Sequence, residues 1–227
     1  MAENGTEITA ALVKQLREMT GAGMMDCKRA LADTGGDIEK AKDKLREKGM
    51  ARAAGKSDRT ANEGIVEAYL HSPGGAAPKQ GALLELNCES DFVARTDDFK
   101  ALARELALQV VGARPRWVRR EEVPADIVER EKAIYRAQVA GKPDNIIEKI
   151  VDGKLEAFYG EVCLVDQVWV KDEKRKKKVG ELVTEATAKL GEKVSIARFA
   201  RFEVGEVAEG GQGAEAGGNG AVAPSES

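Results

Sequence analysis

Ala82-Leu-Leu-Glu-Leu-Asn-Cys88 runs through Glu89-Ser-Asp-Phe-Val-Ala-Arg95 into Thr96-Asp-Asp-Phe-Lys-Ala-Leu-Ala-Arg-Glu-Leu106, and two periodicities meet in this stretch. The first part is a short β-rich run and predicts a strand. In the last part Phe99, Leu102, Ala103, Leu106 and Val110 recur at helical spacing behind Thr96, a residue suited to cap a helix. Just upstream, Gly64-Ile-Val-Glu-Ala-Tyr-Leu70 is a second β-rich run, separated from the first by the Gly- and Pro-containing stretch Ser72 to Gly81. That arrangement predicts an antiparallel hairpin. Val194-Ser-Ile-Ala-Arg-Phe-Ala-Arg-Phe-Glu-Val204 adds a third strand by its alternation. A small antiparallel sheet with helices between its strands makes this an α+β core.

Outward from that core the chain reads as helical. Thr9 opens a helix with Leu12, Val13, Leu16 and Met19 on one face, which Thr20-Gly-Ala-Gly23 ends. A second helix, from about Met24 to Ala32, puts Met24, Cys27, Ala30 and Leu31 on its apolar side. Asp37 caps a third, with Ile38, Ala41 and Leu45 inward until Gly49. These helices predict a small N-terminal bundle over 1–54. Ala51 to Asn62 has little apolar periodicity and reads as a linker, with the domain boundary drawn at 55–63. The core then covers 64–207, including an αα-hairpin over about 121–158 around Ala140-Gly-Lys-Pro-Asp144. Val162 to Val170 reads as partly extended and Val179 to Leu190 as a helix. Residues 208–227 hold Gly, Ala and acidic residues with almost no large apolar side chain, which predicts a disordered tail.

Composition removes several classes of function. The 227 residues carry 36 Lys plus Arg against 39 Asp plus Glu, a net charge of -3, so binding to a phosphate backbone is not expected as the main activity. No run is long and apolar enough for a membrane helix, and the polar N-terminus lacks a leader pattern, which predicts a cytoplasmic protein. Cys27, Cys88 and Cys163 are widely spaced without a C-x-x-C pair and read as small core residues. One histidine, His71, beside a turn leaves no imidazole cluster for a metal and no evident nucleophile system, so no metal, no cofactor and no bond-making activity is expected. Gly55-Lys56-Ser57 resembles the end of a phosphate-binding loop, but Met50 stands where that loop needs glycine and a helix precedes it where it needs a strand.

Two stretches point to a partner. In Leu16-Arg-Glu-Met-Thr-Gly-Ala-Gly-Met-Met-Asp-Cys-Lys-Arg-Ala-Leu31, the adjacent Met24 and Met25 cannot face one interior equally well. Either one of them offers an adaptable contact surface or both pack on the small core. In Glu85-Leu-Asn-Cys-Glu-Ser-Asp-Phe-Val-Ala-Arg95, Asp91 and Phe92 at a corner read as an anion and a wedge for a partner's pocket. Alternatively Ser90 and Asp91 cap a turn while Phe92 packs under the helix from Thr96. The basic run Lys174-Arg-Lys-Lys-Lys178 has no interleaved aromatic residue and reads as a solvated connection, with RNA or ribosome contact as the competing reading.

Both stretches resemble the hallmarks of the bacterial translation elongation factor Ts family, as do Gly141-Lys-Pro143 and Arg201-Phe-Glu-Val-Gly205. The resemblance covers nearly all of the chain except the tail. It implies a ubiquitin-associated-like three-helix N-terminal domain, an α+β core, and an exchange factor that releases GDP from elongation factor Tu and is then displaced by GTP. It implies that Arg17, Met24 and Met25 lie against a helix of the partner, and that Ser90, Asp91, Phe92 and Val93 intrude near the partner's Mg²⁺ site. Ser90 stands where the family usually has Thr. The chain has room for one of the two similar core halves found in longer members, which implies a homodimer and a 2:2 complex. A ribosome- or RNA-associated scaffold, or an adaptor without exchange activity, are the alternatives to that function.

Overall fold

A computed structural model describes residues 8–206. Three helices come first: α1 (Ala10–Thr20), α2 (Met24–Asp33) and α3 (Ile38–Ala54). Thr9 and Asp37 cap α1 and α3 by accepting backbone N–H bonds from Leu12 and Lys40, which satisfies donors that a helix start leaves open. Val13, Leu16, Cys27, Ala30, Leu31 and Ala41 form the buried centre of this bundle. Unlike the expected stop at Gly49, α3 continues to Ala54, so the first part of the expected linker is helix. Ala51, Ala53 and Ala54 favour helix, and at Gly49 α3 packs closely on a later helix.

The sheet is a sequential antiparallel meander of β1 (Glu63–His71), β2 (Gln80–Cys88) and β3 (Ser195–Glu203), with β2 in the centre. Its register sets Ala68 opposite Leu83, and Leu83 opposite Ala200. A bulge between Glu85 and Leu86 shifts the β2–β3 register, so that Leu84 faces Phe199 and Leu86 faces Ile196. Ala82, Leu84, Leu86, Cys88 and Ile196 pack inward. Across that inner face lies α5 (Asp97–Ala113), whose Phe99, Ala103, Leu106 and Val110 are buried as its periodicity predicts, with Leu102 of the same face half-buried against them. The short α4 (Asp91–Ala94) links β2 to α5.

Between α5 and β3 come α6 (Ala125–Gln138), α7 (Asp144–Val162) and α8 (Val179–Leu190). The α6–α7 pair is the expected helical hairpin, anchored at its base by Val123, Val162 and Cys163 with Trp117 and Phe158. The stretch 162–170 is not a strand. It contains a 3₁₀ turn at Leu164–Asp166, and single bridges pair Cys163 with Trp117 and Val168 with Lys178. Two buried glutamines hold it in place. Gln109 of α5 donates to Gln167 and to the Val168 carbonyl, both at 3.2 Å, and accepts from the Val170 N–H at 2.8 Å. Gln167 donates to the carbonyls of Ala113 and Glu161.

The α8 helix joins the bundle to the core, because Arg46 of α3 pairs with Glu181 and Glu185 of α8. No described helix is long and apolar enough to cross a membrane. The expected tail at 208–227 lies outside the described residues.

Candidate functional site

The turn after β2 is built from its flanks inward. Ser90 caps α4: its hydroxyl accepts from the Val93 N–H at 3.4 Å, and its carbonyl accepts from the Ala94 N–H and from the Cys88 thiol. Val93 and Ala94 are buried in the sheet core. With both ends held, the intervening Phe92 projects outward and is 81% exposed. That exposure overturns the alternative in which Phe92 packs under α5, and the phenylalanine buried against the sheet is Phe99. The capping half of that expectation holds for Ser90. Asp91 is exposed and its carboxylate accepts from Arg95 one turn later, at 3.1 Å.

Two carboxylates stitch the turn to the loop after α8. Ser90 donates its backbone N–H to Glu192 at 2.9 Å and its hydroxyl to the same carboxylate at 2.6 Å. In the opposite sense, Glu89 accepts the Lys193 backbone N–H at 2.6 Å and an Arg59 N–H at 3.3 Å. That backbone donor, followed by Arg59, holds the Glu89 carboxyl below its ordinary value. Nothing in the local sequence singled out Glu192, because its partner lies far away in the chain.

At the α1–α2 corner, Gly21 adopts a left-handed conformation with φ 67 and ends α1. Met24 and Met25 follow at the start of α2, 44% and 67% exposed. Both methionines therefore lie outside the bundle core, against the reading that packs them on it and against the inward placement of Met24. Only Cys27, Ala30 and Leu31 of α2 are buried. Arg17 is exposed on α1. Asp26 accepts from Lys48 at 2.8 Å and Arg52 at 3.0 Å, which fixes α2 to α3 and lowers the Asp26 pKa. A cleft of about 360 Å³ opens beside the corner, lined by Met19, Gly23, Met50 and Lys189 among others.

The corner and the turn both lie beside the C-terminal end of α8. A Cβ on Gly21 would lie 3.4 Å from the Lys189 side chain of α8. Lys189 also pairs with Asp98 at the start of α5 at 2.8 Å, and Glu192 follows three residues later.

The chain matches the family model described as Elongation factor TS over residues 5–206. The chain belongs to the elongation factor Ts family. The elongation factor Ts of Desulforamulus reducens is 54% identical over 202 residues, covering 88% of this chain and 90% of its own. That of Thermotoga petrophila is 54% identical over 200 residues, covering 88% of this chain and 98% of its own. That of Anaeromyxobacter dehalogenans is 55% identical, again covering 88% of this chain. The elongation factor Ts match spans both the helical bundle and the sheet core, so it takes in the Met24 corner and the Phe92 turn together.

Other motifs have structural occupations. In Gly55-Lys56-Ser57 the backbone N–H groups bond to Ala51, Ala53 and Ala54 carbonyls and so continue a helix end. In the basic run, Lys176 and Lys177 N–H groups donate to Asp172, and the Lys177 side chain pairs with Glu185. His71 ends β1, exposed, with Nδ1 at 3.2 Å from the Tyr69 hydroxyl. All three cysteines are buried and free. Among the described residues no group of three or more His, Cys, Asp or Glu is arranged to hold a metal ion.

Proposed function

We propose that this chain promotes GDP release from elongation factor Tu during translation elongation, with the turn at Asp91 and Phe92 as the intruding element and no covalent chemistry. The observation that carries this reading is the outward Phe92 on a turn fixed at both ends. A large apolar side chain held in water is costly to present and fits a pocket in a partner. Mg²⁺ bridges phosphate oxygens and protein in such GTPases, so a contact that disturbs its ligands weakens the hold on GDP. Each tenfold gain in release needs only about 1.4 kcal/mol off the barrier. Asp91 disturbs the ion's surroundings and Phe92 holds the pocket open. Ser90 and Val93 act from behind by shaping the turn, in keeping with their capping and buried positions.

Arg17, Met24 and Met25 supply binding, with residues 1–54 as the partner-binding domain, 55–63 as the connection and 64–207 as the exchange core. The exposed, adaptable methionines support that assignment. By linkage, nucleotide weakens this chain's binding by the factor that this chain weakens the nucleotide's. Incoming GTP therefore expels it.

The active form is a cytoplasmic homodimer in a 2:2 complex, with the outer sheet face as the contact between copies. Val66, Leu70, Leu83 and Phe202 are exposed there, with Leu70 at 66% and Phe202 at 68%. Ala68, Gly81 and Ala200 lie among them in the paired register. Large and small residues alternating on one face let two copies interdigitate as sheets stacked about 10 Å apart.

The test is release of fluorescent GDP from purified elongation factor Tu with the native chain, Asp91→Ala and Phe92→Ala. Acceleration that either substitution abolishes while binding persists supports exchange through this turn. Binding without acceleration by the native chain replaces the proposal with an adaptor role.

A further inference from the structure

Phe92 is 81% exposed and belongs to none of the buried clusters among the described residues, so the backbone of 90–94 sets its direction. That backbone is anchored on one side by Val93 and Ala94 in the core. On the other side the anchor is Glu192, which takes both polar hydrogens of Ser90 on its two oxygens, the N–H at 2.9 Å on Oε2 and the hydroxyl at 2.6 Å on Oε1. Bonds from neutral donors to an ionised carboxylate are shorter and stronger than neutral pairs, and two of them fix orientation as well as distance. Gly191 before it is left-handed with φ 78, which turns the chain out of α8 and aims Glu192 at the turn. Glu89 and Lys193 repeat the link in the reverse sense, and the Lys193 ammonium donates to the Arg59 carbonyl at 2.7 Å. Residues 89–90 are thus laced to 192–193.

We infer that Glu192 is a positioning residue for nucleotide release: its carboxylate holds the Ser90 cap so that Asp91 and Phe92 meet the partner in one arrangement. This rests on the reading of the turn as the exchange element. Removing Glu192 leaves the Ser90 hydroxyl still able to cap Val93, and the freed N–H reaches water at a half-buried site. The fold survives and the turn loosens. An element that must intrude during the barrier crossing loses rate when it samples several directions, whereas binding through the separate Met24 corner is untouched.

The experiment measures GDP release from elongation factor Tu at saturating full-length chain, for the native protein and Glu192→Ala, Glu192→Gln, Ser90→Ala and Phe92→Ala. Circular dichroism melting is recorded for each. Glu192→Ala is expected to lower the saturating rate about tenfold, with the half-saturating concentration changed by less than about twofold. Glu192→Gln keeps one acceptor oxygen and is expected to recover part of the rate. A native saturating rate for Glu192→Ala, a loss confined to the half-saturating concentration, or no recovery in Glu192→Gln overturns the inference. Should Glu192→Ala melt below the assay temperature, Glu192→Gln and Ser90→Ala decide: both slowed at saturation upholds positioning, and either at the native rate overturns it. If Phe92→Ala keeps the full native rate, the exchange reading itself fails. Phe92→Ala slow beside Glu192→Ala fast removes the positioning role alone.

Discussion

Gly49 of α3 and Ala188 of α8 lie so close that a Cβ on the glycine would stand 3.1 Å from the Ala188 Cβ. Their contact, with the Arg46 pairs beside it, seats the helical bundle on the core. A larger side chain must push α3 off α8. Gly49→Leu is therefore expected to cost about 1–3 kcal/mol, and at about 2–4 °C per kcal/mol for a chain of this size the loss is readable in a thermal melt.

Gln109 and Gln167 are buried and mutually bonded at 3.2 Å, and together they satisfy four backbone groups. Gln109→Leu keeps the volume but strands the Val170 N–H and the Val168 carbonyl. Stranded polar groups cost about 1–3 kcal/mol. Denaturant unfolding is expected to show that loss, with amide exchange raised first in the 164–170 stretch.

The apolar outer face of the sheet gives the dimer proposal a direct check. Phe202→Glu places a charge within the proposed contact without touching the inner core. Sedimentation equilibrium is expected to give twice the chain mass for the native protein and a single chain mass for the variant, with an unchanged circular dichroism spectrum. A native protein at single-chain mass removes the homodimer.

Cysteine chemistry follows burial. Cys163 is pushed up to about 11 by desolvation, and Cys88 is also raised, chiefly by burial. Cys27 is fully buried in the helical bundle. Neutral, inaccessible thiols react slowly. Mass spectrometry after brief alkylation near neutral pH is expected to find no modified cysteine in the native chain and three after denaturation.

Acid sensitivity has a definite sign. Glu89 sits below its ordinary 4.5 chiefly because the Lys193 N–H donates to it, and Asp26 below 3.8 because Lys48 and Arg52 do. Carboxylates depressed in the folded state contribute stability above their unfolded values and lose it as pH falls through the folded ones. Melting temperature is expected to drop between about pH 5 and pH 3, with a shallower drop in Glu89→Gln and Asp26→Asn. An identical slope in those variants contradicts the assignment.

The elements of this protein follow from its sequence because their causes are local. Helical spacing behind Thr96 and alternation through Val194 to Val204 act within a few turns or one strand, and so do the caps at Thr9, Asp37 and Gly21. The motifs at Met24 and Phe92 were legible for the same reason, as unusual residues at turn positions. Their exposure was not. Met24 fits the apolar side of α2 by spacing and Phe92 fits a place under α5, yet Cys27, Leu31 and Phe99 are the residues buried there while Met24 and Phe92 are exposed. Gly49, inside the α3 extension, packs on Ala188, and Gln109 holds the irregular 162–170 stretch. The Ser90 to Glu192 link joins residues 102 apart. Periodicity records which side of an element is apolar, whereas only packing decides which apolar groups find room and which distant carboxylate reaches a given N–H.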